Sequence, residues 1–149
     1  LRIGWSAADE ELVQQCWGSR DYISLSPAKL SDALTQIAIH NRDAIVARNH
    51  QIMQENLVVA EQWFAANADL VSWTPPRAGL LALLKYKLDV PSMELANLLA
   101  GEYSVMLAPG SAFGFEGYLR IGIGQRPDLF REGLFRTAAA LRDLQAKQR

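Results

Sequence analysis

The stretch VMLAPGSAFGFEGYLRIG, residues 105–122, combines the clearest turn signal of the chain with its clearest strand. Its first three residues are apolar and predict a short strand, which the following Pro-Gly-Ser run ends in a turn. In Tyr118–Ile123, apolar residues alternate with Arg120 and Gly122, and this two-residue period predicts a second strand. The arginine and the glycine therefore share one face of that strand, and the apolar residues take the other.

The tetrapeptide Leu-Arg-Ile-Gly occurs twice, at residues 1–4 and 119–122. An arginine among apolar neighbours needs an anionic partner, because an unpaired buried charge costs on the order of several kcal/mol. The neighbouring glycine leaves room for a ligand. Arg2 and Arg120 are therefore candidates for binding a carboxylate or a phosphate. The commoner alternative, an ordinary salt bridge or a solvated arginine at a strand edge, remains open at this point.

The N-terminal residues predict one strand and one helix. Leu1–Trp5 shows the same alternation as the later strand and predicts a strand here. Asp9 is a typical N-cap, Glu10–Trp17 predicts a helix with acidic residues in its first turn, and Gly18 is expected to end it. Because the chain opens in a strand-like segment without an initiator methionine, we expect it to be a piece of a longer protein.

The middle of the chain predicts two long helices. Ser26 and Pro27 form a typical helix start, a hydroxyl N-cap followed by proline at the first helical position. From there to about Asn67 the sequence has no glycine or proline, and apolar residues recur at helical spacing. The polar cluster at residues 40–43 predicts a break, where Asn41 could cap the second helix.

The remaining residues predict shorter elements. Leu70–Trp73 and Gly79–Tyr86 are expected to be strands, a helix is expected from Pro91 to near Gly101, and a terminal helix from Pro127. A long helical pair followed by alternating strands and helices predicts a mixed α/β fold in two layers.

The composition narrows the possible functions. The 149 residues include 15 Lys and Arg against 16 Asp and Glu, and this balance disfavours binding to nucleic acid or to a membrane through a broad basic surface. Cys16 is the only cysteine, so an internal disulfide and a zinc module are excluded. The longest apolar run, Leu80–Leu84, is far shorter than the ~20 residues of a membrane span. We therefore expect a soluble, cytoplasmic protein.

Other possible sites carry weaker signals. His40 and His50 would lie on different sides of a helix and make a poor metal pair, so no metal site is predicted. The Gly122-Ile123-Gly124 run lacks the third glycine of a dinucleotide-binding fingerprint. No histidine is placed to activate Cys16 as a nucleophile.

Several features together resemble the class I and II aminotransferases, the fold type I enzymes that use pyridoxal phosphate. Residues 105–122 are similar to the C-terminal signature of that family, and Leu1–Trp5 is similar to the segment after the lysine that binds the cofactor. The order of the elements between these segments also matches, and the matching residues include Ser26-Pro27, Asn56-Leu57, Trp73–Pro76 and Gly79. The resemblance covers nearly the whole chain.

The resemblance implies how the chain is divided. Residues 1–26 would be the C-terminal edge of the cofactor-binding large domain, with its last strand and helix. Residues 27–149 would be the small domain, in which long N-terminal helices pack on a small sheet. The family's cofactor-binding lysine falls before residue 1, so the chain by itself is expected to be inactive. The parent protein is expected to be a homodimer.

The resemblance also implies roles for individual residues. Arg2 would hold the phosphate of pyridoxal phosphate, and Arg120 would hold the α-carboxylate of the substrate. Arg20 is a weaker candidate, which would either reach the active site of the neighbouring subunit or form an ordinary salt bridge. Gly79, also a weaker candidate, would lie near the substrate side chain.

The activity that the resemblance implies for the parent protein is transfer of an amino group between an amino acid and a 2-oxo acid. Lyases, cyclases and decarboxylases of the same fold would need the same two arginines, because a fold does not determine the reaction. A further alternative is a non-catalytic assembly module derived from the small domain.

Overall fold

The computed structural model describes residues 3–26 and 28–148. Within these residues the chain forms five α-helices, four β-strands and one 3₁₀ turn, which confirms the predicted mixed α/β class. The helices are α1 (Glu10–Arg20), α2 (Lys29–His40), α3 (Arg42–Ala66), α4 (Ser92–Tyr103) and α5 (Pro127–Lys147). The strands are β1 (Val71–Trp73), β2 (Leu81–Tyr86), β3 (Ala108–Pro109) and β4 (Tyr118–Gly122), and the 3₁₀ turn is Gly110–Phe113.

The chain divides into two compact units, residues 1–47 and 48–149. Helix α3 begins in the first unit and continues into the second. The division predicted from the sequence, between residues 26 and 27, concerns the domains of the parent protein and stays a prediction.

Helix α1 begins as predicted and ends later than predicted. The Asp9 carboxylate accepts a hydrogen bond from the Leu12 backbone N–H at 2.9 Å, which confirms the N-cap. The helix continues through Gly18 to Arg20, so the prediction that Gly18 ends it is wrong. A glycine ends a helix by adopting a positive φ, and here a positive φ occurs at Leu25 in the following turn instead.

The strand predicted for Leu1–Trp5 is absent from the part of it that the structure describes. Residues 3–9 have no regular secondary structure, and Leu1 and Arg2 lie outside the described residues. A strand is stabilised by hydrogen bonds to a neighbouring strand. None of the strands in residues 3–26 and 28–148 pairs with this segment, so the prediction is wrong for residues 3–5.

Helix α2 starts later than the Ser26-Pro27 pattern predicts. Its N-cap is Ala28, which makes no side-chain capping bond, so the predicted cap by the Ser26 hydroxyl is wrong. The backbone N–H of Ser26 donates to the Ser24 carbonyl at 2.6 Å. This bond places Ser26 in the turn before the helix, while Pro27 lies outside the described residues.

The predicted break between the two long helices is confirmed at Asn41. The side chain caps the helix before the break, not the one after it. Its Nδ2 donates to the Ile37 carbonyl at 2.8 Å, and the Asn41 backbone N–H donates to the same carbonyl at 3.1 Å, so both bonds close the last turn of α2. The Asn41 carbonyl accepts from the Ile45 N–H at 3.2 Å, so the backbone of the same residue starts α3.

The second unit is built around an antiparallel sheet with strand order β1-β2-β4-β3. Strands β2 and β4 form the central pair, in which Leu83 lies opposite Arg120. On the other side of β4, Ala108 of β3 also lies opposite Arg120. The arginine is therefore flanked by a strand on each side.

One face of this sheet carries the hydrophobic core of the second unit. Buried and partly exposed residues alternate along β4, as expected for a sheet with one face covered by helices. The core residues from the sheet include Ala82, Leu84, Leu119 and Ile121, and those from the helices include Phe64, Leu95, Leu99, Phe130 and Leu141.

The prediction of a short strand at Val105–Leu107 is wrong, because the strand of this region, β3, begins at Ala108. The Val105 N–H donates to the Leu99 carbonyl at 2.9 Å and closes the end of α4 beyond Ser104, so it is not available for a strand ladder. Pairing with β4 begins at Ala108 instead. Helix α4 also runs past its predicted end near Gly101.

A buried asparagine ties α3 to the end of β4. Asn56 is fully buried, and its Nδ2 donates to the carbonyls of Ile123 at 2.9 Å and Gln125 at 2.8 Å. These two bonds satisfy carbonyls that leave the sheet ladder. They fix the turn that follows Gly122 and so support the strand that carries Arg120.

None of the helices in residues 3–26 and 28–148 is both long enough and apolar enough to cross a membrane. The same residues contain no cluster of three or more His, Cys, Asp and Glu side chains that could hold a metal ion.

Candidate functional site

Arg120 lies on the sheet face that points away from the core. Its neighbours along β4, Leu119 and Ile121, are 0% and 2% exposed and belong to the core. Because side chains alternate along a strand, Arg120 and Gly122 take the opposite face. This confirms the shared face that the sequence pattern predicts. Both residues are partly buried.

The guanidinium of Arg120 packs against an aromatic ring. Its Cζ lies over the ring of Phe113, 4.4 Å from the centroid. Among the residues that the structure describes, none forms an ion pair or a hydrogen bond with this side chain. This cation–π contact gives none of the guanidinium N–H donors a conventional hydrogen-bond acceptor. The donors are therefore free to bind an anion.

A cleft of about 440 Å³ opens on the same face of the sheet. Its polar and aromatic lining residues are Ser72, Trp73, Thr74, Lys85, Tyr118 and Arg120. Lys85 Nζ lies 5.7 Å from the centroid of the Tyr118 ring, and no acidic side chain is among the described residues that line the cleft. Two cations without a neighbouring carboxylate favour an anionic ligand.

A second cleft, of about 340 Å³, lies between β4, α5 and the segment after α4. Arg136 lines it and donates from Nε to Glu132 Oε1 at 2.7 Å and from Nη1 to the Tyr103 carbonyl at 3.3 Å. This guanidinium is already paired, so it has less capacity left for an anion. The cleft that contains Arg120 is therefore the better candidate for the functional site.

A polar network holds the turn that carries Phe113. The Ser111 N–H donates to Ser92 Oγ at 3.1 Å, and Ser92 Oγ donates to Glu116 Oε2 at 3.1 Å. Glu116 Oε1 accepts from the backbone N–H of Ser92 at 2.6 Å and of Gly117 at 3.2 Å. The carboxylate of Glu116 thus joins the start of α4 to the loop between the 3₁₀ turn and β4.

The same network keeps Glu116 ionised. Hydrogen bonds from the backbone N–H of Ser92, and then of Gly117, hold the pKa of Glu116 below its ordinary value. Burial, and then the charge of Glu116, raises the pKa of Tyr86 to about 12. A charged carboxylate is favoured at this place because the helix dipole of α4 presents its positive end to it.

Glu116→Gln is expected to remove an acid-sensitive contribution to stability. The pKa of Glu116 is lower in the folded state than in the unfolded state, so in acid the unfolded state binds more protons. The contribution is therefore complete above the unfolded-state pKa and is lost as the pH falls through the folded-state pKa. The difference in free energy of unfolding between wild type and Glu116→Gln should shrink on acidification, as measured by urea unfolding at a series of pH values.

Glu61→Gln is the matched control for this prediction. Glu61 is an exposed glutamate on α3, and the same urea unfolding series on this variant gives the baseline for a glutamate outside the network. Parallel pH profiles for the two variants would show that the network does not select the ionised form of Glu116.

Sequence reasoning missed Phe113, Ser92 and Glu116 as parts of this site. Phe113 and Glu116 belong to the stretch 105–122, but no periodic pattern relates them to Arg120. The run Gly114-Phe115-Glu116-Gly117 offered one signal, because two glycines so close together mark a turn and Glu116 is the acidic residue within it. Ser92 offered another, as a hydroxyl directly after a proline at a helix start.

The other predicted site residues are placed as follows. Arg2 lies outside the described residues. Arg20 belongs to the first unit, where its Cζ lies over the Trp17 ring at 5.2 Å from the centroid. Gly79 has a φ of +86°, which favours glycine, and it precedes Leu81, which lines the cleft of Arg120. The functional roles of all three stay predictions.

Two solved structures with the same fold are described as PLP-dependent enzymes. A PLP-dependent aminotransferase from Streptococcus suis matches with a TM-score of 0.84 and 28% identity, over 93% of this chain and 37% of its own. The PLP-dependent cyclase OrfR matches with a TM-score of 0.82 and 28% identity, over 91% of this chain and 37% of its own. The fold is therefore that of the C-terminal portion of a fold type I, PLP-dependent enzyme.

Among curated proteins, the sequence is similar to capreomycidine synthase from Streptomyces vinaceus, with 28% identity over 132 residues. This match covers 88% of the chain and 34% of the synthase, so the chain spans about a third of the length of the curated relative it matches. No family model matches the sequence.

Proposed function

We propose that this chain is the part of a PLP-dependent aminotransferase that binds the substrate α-carboxylate. In this proposal the complete protein transfers an amino group between an amino acid and a 2-oxo acid. The observation that carries it is Arg120, a partly buried guanidinium with no anionic partner among the described residues, in a cleft lined by no described acidic side chain. Both substrates of an aminotransferase carry a carboxylate next to the reacting carbon, so one arginine can bind both.

The geometry of Arg120 suits this task. A guanidinium can bind a carboxylate through two parallel hydrogen bonds, which fix the orientation of the ligand as well as holding it. The backbone of Arg120 is held between two strands, Leu83 lying opposite it on one side and Ala108 on the other. A carboxylate bound there would be held in a constant position relative to the rest of the active site, and such positioning accelerates the reaction.

Pyridoxal phosphate, when bound, supplies the electron sink that stabilises negative charge at the substrate α-carbon. Arg2 is the residue of this chain that we propose for the cofactor phosphate. Arg120, by contrast, binds and orients the substrate and excludes alternative poses.

The test is an assay of the complete protein with pyridoxal phosphate, a panel of amino acids and a 2-oxo acid acceptor. We expect donor conversion to its 2-oxo acid beyond one equivalent per active site only when an acceptor is present, with one acceptor aminated for each further donor consumed. Continued donor consumption without an acceptor would contradict the aminotransferase assignment.

The second candidate is an amino-acid cyclase. It is favoured by the similarity to capreomycidine synthase and to the PLP-dependent cyclase OrfR, each at 28% identity. The same arginine would serve, because a cyclase must also hold its amino-acid substrate. In the assay above, a cyclase would consume a single amino acid without an acceptor and would yield a product that keeps its nitrogen atoms.

The predicted homodimer and the predicted cytoplasmic location stay predictions, as does the role of Arg20 at a neighbouring active site. Sedimentation of the complete protein measures the oligomeric state directly. If the protein is a dimer and Arg20 reaches across, mixing Arg20→Ala subunits with Arg120→Ala subunits would change the activity of the mixture relative to either variant alone.

A further inference from the structure

The ring that packs on Arg120 belongs to an exposed phenylalanine. Phe113 is 44% exposed, so burial in the core does not explain a large apolar side chain at this position. Its ring lies against the guanidinium of Arg120, with 4.4 Å between Cζ and the ring centroid. A cation over an aromatic face is attracted to it, so this contact favours the observed placement of the ring.

We infer that Phe113 is a positioning residue, whose ring holds the guanidinium of Arg120 in the orientation that binds the substrate carboxylate. The inference rests on the proposed function. A flexible arginine side chain needs something to orient it before the ligand arrives. An acidic partner would occupy the N–H donors and compete with the substrate, whereas a cation–π contact with an aromatic ring leaves the donors available to the substrate.

The ring can do this because its own backbone is held firmly. Phe113 ends the 3₁₀ turn, in which the Gly114 N–H donates to the Ser111 carbonyl at 3.1 Å. The Ser111 N–H is in turn held by Ser92 Oγ, which donates to Glu116. The network of Ser92 and Glu116 therefore fixes the turn, the turn fixes the ring, and the ring orients Arg120.

The chain offers a matched control in the same loop. Phe115 is 52% exposed and packs edge-on against Tyr118, with 6.3 Å between ring centroids. It is slightly more exposed than Phe113 and lies two positions away, but it makes no described contact with Arg120. Phe115→Leu removes the same ring from the same loop and leaves the cation contact intact.

The experiment compares Phe113→Leu, Phe113→Tyr, Phe115→Leu and Arg120→Lys in the complete protein. We expect Phe113→Leu to raise KM for the amino-acid substrate about three- to tenfold with a smaller change in kcat. Phe113→Tyr keeps an aromatic ring at this position, so its KM should stay at the wild-type value. Phe115→Leu should also have the wild-type KM. A second readout is the Arg120 Nε–Hε resonance, titrated with propionate as a carboxylate probe. The Phe113 ring should shift this resonance, and among the phenylalanine variants the shift should disappear only in Phe113→Leu. Propionate should also bind Phe113→Leu more weakly than wild type.

The outcomes separate this inference from the proposed function. If Arg120→Lys raises KM but Phe113→Leu does not, the carboxylate site stands and the positioning role is overturned. If Phe113→Leu and Phe115→Leu lower Tm and activity equally, the role of Phe113 is structural and the inference is again overturned. If Arg120→Lys changes neither KM nor propionate binding, the proposed function itself fails.

Discussion

Arg120→Ala is expected to lower kcat/KM of the complete protein by about 10²- to 10⁴-fold. Two parallel hydrogen bonds between charged groups contribute ~1.5–3 kcal/mol each, so their loss should cost ~3–6 kcal/mol of transition-state binding. At ~1.4 kcal/mol for each tenfold change, this gives the stated range. Steady-state kinetics with the donor and acceptor found in the activity assay measure it.

Three comparisons make this result specific to the carboxylate contact. Arg120→Lys should recover only part of the activity, because an ammonium group cannot reproduce the planar fork of a guanidinium. Arg131→Ala removes an exposed arginine of α5 and should leave kcat/KM unchanged. Bound pyridoxal phosphate, measured by absorbance, should stay the same in Arg120→Ala. A kcat/KM within threefold of wild type would show that Arg120 does not bind the substrate carboxylate.

Gly110→Ala is expected to destabilise the second unit by about 3 kcal/mol or more. A Cβ at this position would overlap the carbonyl oxygen of Phe115 and lie 2.6 Å from that of Tyr118. Both atoms are backbone, so the loop itself must move, and overpacking of this kind typically costs ~1–3 kcal/mol and sometimes more. Urea or thermal unfolding of the chain measures the loss.

Gly101→Ala is the control with the opposite sign. Gly101 lies in α4, and a Cβ there would meet no atom within 4 Å. Alanine is favoured over glycine in a helix by ~0.5–1 kcal/mol, so this variant should be slightly more stable than wild type. Equal effects of the two substitutions would show that the loop around Gly110 adapts to a larger residue.

The two glycines differ in a way that the sequence does not reveal. Gly110 lies between Pro109 and Ser111, where a turn is expected, and the usual reason for a glycine in a turn is a positive φ. The structure gives another reason, because Gly110 has no positive φ and is required by the close approach of two backbone carbonyls. The stretch that resembles the aminotransferases includes Gly110, but the resemblance gives no physical reason for a glycine there.

Local patterns in the sequence determined most of the regular elements. The alternation in Tyr118–Ile123 predicted β4 and the face of Arg120, and the polar cluster at residues 40–43 predicted the break between α2 and α3. These predictions succeeded because neighbouring residues determine strand alternation and helix interruption. Predictions failed where the structure of a segment depends on pairing with another segment of the chain. Residues 3–5 alternate like a strand, but no strand in the described residues pairs with them.

The same distinction separates the two parts of the candidate site. The sequence by itself singled out Arg120, because a charged residue in an apolar strand stands out within a few positions. Only the tertiary structure brought Phe113 under the guanidinium and joined Ser92 to Glu116 across 24 positions of the chain. Contacts between residues far apart in sequence depend on how the sheet, α4 and the loop pack together. No local pattern encodes them, so the candidate anion-binding residue was predictable and the residues that we propose to orient it were not.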